Sequence, residues 1–137
     1  MLKISTKSQY GLRAMVYLAK FKNKISPLKE ISKKEGISFD YLEKILSKLE
    51  KTGLVEAKKG VRGGYFLARS PARIKIGGII RNLEGTTSLV KCIVGAKILR
   101  YHCARERKCL TRNFWKKIQD SLNYTLNSMT LADLIKK

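Results

Sequence analysis

Apolar side chains in the first fifty residues recur every three to four positions. Tyr10, Ala14, Leu18 and Phe21 fall on one helical face, which predicts a helix from about Ser5 to Phe21 with that stripe buried. Asn23 and the Lys-Ile pair after it read as a turn. Ser26-Pro27 reads as a helix start, with Ser26 as the cap and Pro27 at the first helical position, where no N–H is missed. Leu28 and Ile31 supply the apolar side of this short helix, and Gly36 ends it in a left-handed conformation. A second helix opens at once. Ser38 caps it, Asp40 sits in the first turn where the helix dipole favours an anion, and Leu42, Ile45, Leu46 and Leu49 make its apolar face before Gly53 stops it. Two helices joined by a tight glycine turn are the signature of a helix-turn-helix.

Beyond Gly53 the helical period stops. Residues 54–58 and 65–68 read as two strands around Lys59-Gly60-Val61-Arg62-Gly63-Gly64, a basic, glycine-rich hairpin tip. Helix, turn, helix and basic hairpin in that order predict a winged helix-turn-helix, mainly α with a small β-hairpin. A short helix follows from about Ile76 to Leu83, ending at Gly85. Residues 86–109 have no clean period. A long helix then runs from about Thr111 to Ser128, with Phe114, Trp115, Ile118, Leu122, Leu126 and Met129 on its apolar face, and Thr130 is the expected cap of a closing turn over 131–135. The expected division is a DNA-binding winged helix over 1–70 and a second part over 71–137. That second part holds an irregular loop (86–110) and a dimerisation helix (111–129).

Composition adds a partner class. The chain has 137 residues, 44% of them hydrophobic, which suffices for a core. No run of eighteen apolar residues exists, so no membrane span is expected, and Met1-Leu2-Lys3-Ile4-Ser5 lacks a signal core, so the expected location is cytoplasmic. Lys and Arg number 30 against 10 Asp and Glu, a net charge of +20. Residues 1–68 carry +9 and residues 69–137 carry +11, so the charge is not a tail. Such a surface favours a polyanion, nucleic acid before an acidic membrane. A generally basic composition is the alternative explanation.

On a winged helix, the helix after Ser38 enters the major groove and presents its exposed residues to base edges. Those are Phe39, Asp40, Glu43, Lys44 and Ser47, with Ser38 at the tip. Lys44 suits a guanine and Glu43 a cytosine amino group. Lys48 and Lys51 are better placed for phosphate, and Lys58, Lys59 and Arg62 on the wing suit phosphates or the minor groove. Local helix-face pairing is the plainer role for Glu43, Lys48 and Lys51. The expected partner is a double-stranded operator read by a homodimer joined through the long C-terminal helix. The alternative of another class is an RNA-binding module. One histidine, no paired catalytic acids and no phosphate loop leave no constellation for an enzyme.

Cys92, Cys103 and Cys109 cluster within eighteen residues, spaced x10 and x5, among basic residues that would stabilise thiolates. An odd count argues against a disulfide framework. Thiolates suit an iron–sulfur cluster, a zinc ion or redox chemistry alike, so residue type does not choose among them. The cysteines could also be simply buried and inert. His102, the only histidine, is one candidate fourth ligand.

At this point the sequence resembles the Rrf2 family of winged-helix regulators. The resemblance rests on residues 5–15 (Ser-Thr-Lys-Ser-Gln-Tyr-Gly-Leu-Arg-Ala-Met), 37–43 (Ile-Ser-Phe-Asp-Tyr-Leu-Glu), Gly53-Leu54-Val55 and Arg62-Gly63-Gly64-Tyr65. Cys109-Leu110-Thr111, Trp115 and residues 130–134 (Thr-Leu-Ala-Asp-Leu) complete it. It implies a homodimer with crossing C-terminal helices. It makes Cys92, Cys103 and Cys109 the ligands of an iron–sulfur cluster, 2Fe–2S in preference to 4Fe–4S. It places Asp40, Glu43 and Lys44 at base-reading positions and Lys59 and Arg62 on the wing. The implied function is that of a regulator, a repressor before an activator, tied to iron–sulfur, iron, redox or nitric-oxide homeostasis. Two departures stand out: Arg112 occupies the place of a histidine three residues after the third cysteine, and Ser8-Gln9 lacks the N-terminal acid that some relatives use as a ligand. Gln9, contributed across the dimer, is the other candidate fourth ligand.

Overall fold

The computed structural model describes residues 3–90 and 108–136. Its helices are α1 (Thr6–Lys20), α2 (Leu28–Glu35), α3 (Phe39–Lys51), α4 (Ile76–Glu84), α5 (Arg112–Ser128) and α6 (Leu131–Ile135). Strands β1 (Val55–Lys58) and β2 (Gly64–Leu67) form an antiparallel hairpin in register from Val55 opposite Leu67 to Lys58 opposite Gly64. No helix among the described residues is long and apolar enough to cross a membrane.

Local chemistry sets the element ends. Ser5 Oγ accepts the Ser8 N–H at 3.2 Å and starts α1, while Ser38 Oγ accepts the Tyr41 N–H at 3.3 Å and starts α3. Between α2 and α3 the chain turns at Gly36, whose φ of 66° is disfavoured for residues with a Cβ. Ser32 Oγ also donates to the Ile37 carbonyl, tying the last turn of α2 to the residue beyond Gly36.

The core is built around α1. Ala14, Met15 and Leu18 meet Ile31 of α2, the four apolar residues of α3, Ile79 and Leu83 of α4, and Leu131 of α6. The core therefore draws on both sides of residue 70. Gly11 lets α4 come close, because a Cβ there would lie 2.3 Å from Leu83 Cδ1. The C-terminus returns to this core through backbone pairing: Ile76 N–H donates to the Met129 carbonyl at 3.0 Å, and Leu131 N–H to the Ile74 carbonyl at 2.8 Å. Asp133 accepts the Thr130 N–H at 2.8 Å, so Thr130 caps α6 as the sequence predicts.

Three details depart from the sequence reading. Phe21 is 43% exposed, because α1 ends at Lys20 and the non-helical backbone at Phe21 swings the ring out of the stripe to rest on Tyr17. Ser26 does not cap α2, where Pro27 takes the cap position without a side-chain bond. Instead Ser26 is fully buried and exchanges both backbone bonds with Tyr65, at 2.9 and 2.8 Å, adding a third strand-like rung to the wing. Gly64 makes room for it, since a Cβ there would lie 2.3 Å from the Ser26 carbonyl oxygen. Finally, the apolar stripe of α5 is only partly covered: Phe114 is 56% exposed, and Ile118, Leu122 and Leu126 are half-buried.

One carboxylate locks the two ends of the α1–α4 pair. Glu84 Oε1 accepts from Ser5 Oγ and Ser8 Oγ, both at 2.6 Å, and from Ser5 N–H at 3.0 Å. These bonds, the Ser5 hydroxyl first, hold the Glu84 carboxyl below the usual range despite partial burial. Glu84→Ala leaves the fully buried Ser8 hydroxyl without this acceptor and should cost about 1–3 kcal/mol at neutral pH. A carboxylate with a lowered folded pKa stabilises fully above its unfolded pKa, roughly 4.3, and loses that contribution as pH falls through the folded value. Urea unfolding should therefore show the gap between wild type and Glu84→Ala narrowing below about pH 4. A gap that stays constant on acidification contradicts the charged anchor.

Candidate nucleic-acid interface and cysteine site

Helix α3 divides its residues cleanly. Leu42, Ile45, Leu46 and Leu49 are at most 1% exposed. The helical turn of about 100° per residue then sends the intervening side chains outward. Asp40, Glu43, Lys44, Ser47, Lys48 and Lys51 line an open depression of about 860 Å³ together with Tyr65 of β2. Six of the sequence-predicted residues, Asp40, Glu43, Lys44, Ser47, Lys48 and Lys51, thus share one surface. Ser38 sits at its N-terminal edge with its hydroxyl engaged as the cap.

The wing lies beside this surface. Lys58 and Lys59 line a shallow groove of about 350 Å³ with Glu50, Gly60, Gly63 and Tyr65. Gly60 turns the chain with φ of 116°. Arg62 is exposed at the tip beside the fully exposed Val61, outside the groove lining.

Two features escaped sequence reasoning. Tyr65 links the depression and the wing groove, and its backbone is pinned by Ser26. Burial first, then the nearby Glu50 and Glu43 carboxylates, push its phenol pKa up, so it stays an O–H donor at neutral pH. Its only sequence signal is an aromatic residue after two glycines on a predicted wing. Helix α2 also presents Lys29, Lys33 and Lys34 on one exposed face, a basic row at helical spacing that is visible in the sequence. Lys48 has a second contact: its Nζ donates to the Leu83 carbonyl at the end of α4, at 3.3 Å.

Of the cysteine site, Cys109 lies within the described residues, whereas Cys92, Cys103 and His102 lie outside them. Cys109 is half-buried, with Sγ 3.3 Å from Thr111 Oγ1, three residues before α5 begins at Arg112. Metals and oxidants require the thiolate, which helix N-termini and cationic side chains in general favour. Gln9 donates its side-chain amide to the Ile4 carbonyl at 3.0 Å and lines an apolar cleft of about 520 Å³ between α1, α4 and α5. Among the described residues no three His, Cys, Asp or Glu side chains are placed to share a metal ion.

Comparison with known proteins gives this geometry a family. The family model described as Rrf2, iron-dependent transcriptional regulator, matches residues 4–137. The HTH-type transcriptional regulator IscR of Vibrio atlanticus (strain LGP32) is 34% identical over 136 residues, covering 98% of this chain and 76% of that protein. Among solved structures, CymR (YrzC), the global cysteine regulator of B. subtilis, superposes with a TM-score of 0.77 at 39% identity, over 98% of this chain and 96% of the other. The IscR of T. potens superposes with a TM-score of 0.76 at 38% identity, over 98% and 86%. These relatives are transcriptional regulators, not enzymes, and with a family match across nearly its whole length this chain belongs to the Rrf2 family of winged-helix transcriptional regulators.

Proposed function

We propose that the protein is a homodimeric, cytoplasmic regulator, a repressor in the first instance. Its hold on a double-stranded DNA operator is set by the state of Cys92, Cys103 and Cys109. The observation that carries the reading is α3 itself: four fully buried apolar residues hold a row of polar and charged side chains outward, beside a basic wing. In the major groove, Lys44 donates to guanine edges while Asp40 and Glu43 accept from cytosine amino groups. Ser47 suits either. Lys48, Lys51, Lys58, Lys59 and Arg62 meet phosphates, joined by the lysine row of α2.

Dimerisation supplies the second half-site. The partly uncovered stripe of α5, with Phe114 56% exposed and Ile118, Leu122 and Leu126 half-buried, supports a helix that buries its face against a second copy. Residues 1–70 then read DNA, and residues 71–137 sense and dimerise. The cysteines would hold an iron–sulfur cluster, 2Fe–2S in preference to 4Fe–4S. The fit rests on the half-buried Cys109 and on the suitability of thiolates as ligands of such a cluster. When bound, the cluster supplies an anionic group whose charge and integrity respond to oxidants and iron supply. The fourth ligand is His102 or Gln9, of which Gln9 reaches the cleft beside α5. Arg112, always cationic, serves as a counter-charge rather than a ligand. A second reading, zinc or thiol oxidation in place of the cluster, is favoured by the likeness to a cysteine regulator over 96% of that chain.

Anaerobic reconstitution with iron and sulfide should give a coloured protein absorbing in the visible, with operator affinity changed about tenfold and the response lost in Cys103→Ala. No chromophore, with stoichiometric zinc or a response to oxidant alone, moves the assignment to the second reading. Preference for single-stranded RNA over a duplex operator removes both.

The division of labour on α3 and the wing has its own test. Lys44→Ala should cost about 1–3 kcal/mol on the cognate operator and relax its base preference. Lys59→Ala should weaken all sequences alike and reduce the salt slope by about one. Salt titrations of both variants on cognate and scrambled duplexes check this. Indistinguishable behaviour would undo the assignment of base and phosphate readers.

A further inference from the structure

Helix α5 buries one residue, and it is polar: Gln119 is 4% exposed on a helix whose apolar side chains stay partly in water. A buried amide is costly unless its groups are bonded. Both ends of this one are. Oε1 accepts the Leu89 N–H at 2.7 Å, and Nε2 donates to the Thr87 carbonyl at 3.0 Å and to Asn123 Oδ1 at 3.1 Å. The side chain pairs with residues 87 and 89 as a neighbouring strand would, so it reads backbone position rather than side-chain identity.

The position it fixes is a junction. Residues 86–90 follow directly on the Gly85 cap of α4, and Cys92 is three residues beyond Leu89. Cys109 lies just before α5 on the other side. The stretch holding all three cysteines is therefore tied to α5 at both ends, covalently after Cys109 and by the Gln119 amide before Cys92. The junction also reaches the DNA-reading surface: the Leu83 carbonyl, near the end of α4, accepts from Lys48 Nζ on α3 at 3.3 Å. At the opposite end of α4, Gly77 touches α5 so closely that a Cβ would lie 2.8 Å from Asn127 Oδ1 and 3.0 Å from the Leu126 carbonyl oxygen. Helix α5 thus meets α4 at a tight contact at one end and, at the other, is bonded through Gln119 to the residues that follow α4.

We infer that Gln119 is a positioning residue that couples the cysteine stretch to the recognition helix. It transmits displacement of residues 86–90 through the end of α4 to Lys48. The inference rests on the proposed regulatory role of the cysteines. A change at the cysteines that shifts residues 87–89 breaks the Gln119 bonds, moves the Leu83 carbonyl and frees the Lys48 ammonium toward DNA phosphate. The step is a rearrangement of hydrogen bonds and moves no electrons.

The test uses the full chain with Gln119→Leu, similar in bulk and without hydrogen-bonding groups. Gln119→Glu keeps an acceptor for Leu89 N–H but loses the donor to Thr87. Operator affinity is measured for reduced metal-free, iron-and-sulfide-reconstituted and diamide-oxidised protein, with hydrogen exchange over residues 86–90. Wild type should differ about tenfold between the reduced state and at least one other. Gln119→Leu should reduce that ratio to within about twofold, shift reduced-state affinity to that of the released state, and raise exchange over 86–90. Gln119→Glu should fall between, and it carries the test if the leucine variant does not fold. Equal ratios in wild type and variants overturn the inference, as does equal weakening in every state, which marks a merely structural role. A wild type insensitive in all three states removes the proposed function and the coupling together. That outcome is told apart by the silence of the wild type itself.

Discussion

Everything this protein can do with DNA depends on keeping one face of α3 out of water. Leu42, Ile45, Leu46 and Leu49 are at most 1% exposed. Burying each such side chain is worth about 1.5–3 kcal/mol, so together they match a large share of a typical domain's net stability. That burial fixes the rotation of α3 about its own axis. A rotation of one residue would expose Leu42 and submerge Glu43, so the outward row is as firmly specified as the core. Gly11 on α1 and Leu83 on α4 complete the constraint, because the seat for α3 exists only where α1 and α4 approach to van der Waals contact.

Features held by local periodicity are legible in the sequence, and those held by distant backbone are not. Alternation between buried and exposed positions is local, so α3 and its outward residues can be read from spacing alone. The turn at Gly36 can also be read locally, since few other residues adopt its φ of 66°. Phe21 and Ser26 are misread for one reason: each has a good local role that tertiary structure overrides. Ser26 would serve as a helix cap, but its backbone is needed to extend the wing against Tyr65. Gln119 is invisible to periodicity because it is a polar residue beside an apolar stripe, and its value lies in the backbone of residues 87 and 89. The α5 stripe was readable as apolar, yet only the fold shows how little of it this chain covers, with Phe114 56% exposed.

The charge distribution has a further logic. Several acidic residues are committed to local partners: Glu30 to Lys24, Glu35 to Arg13, Asp120 to Lys116, and Glu84 to the start of α1. Asp40 and Glu43 are different, since they stand in the outward row of α3. Two carboxylates on a surface that approaches phosphates reduce general attraction to nucleic acid. Their placement favours discrimination over affinity, because a carboxylate gains only where a base donor lies opposite and repels elsewhere. The surrounding lysines and the wing supply the affinity that those two residues give up.

Lys48 brings these threads together. It belongs by position to the DNA-facing row, and by contact to the end of α4 through the Leu83 carbonyl. An ammonium at a helix C-terminus interacts favourably with the partial negative charge there, by a few tenths to one kcal/mol when exposed. A phosphate offers it a comparable or larger attraction in the complex. The two sites compete for one side chain with similar strength, so a small shift of the α4 end changes which one wins. A tightly held α4 end retains Lys48 and weakens the DNA face by one cation. Because Glu84 anchors that end to α1 and Gln119 anchors the residues just beyond it to α5, the balance is controlled from two sides. The lock of α4 on the DNA-reading core is built to persist, with three hydrogen bonds to one carboxylate oxygen. The hold of α5 on the residues beyond α4 is two hydrogen bonds between neutral groups, weaker than bonds to a carboxylate, which makes it the side from which the balance can be tipped.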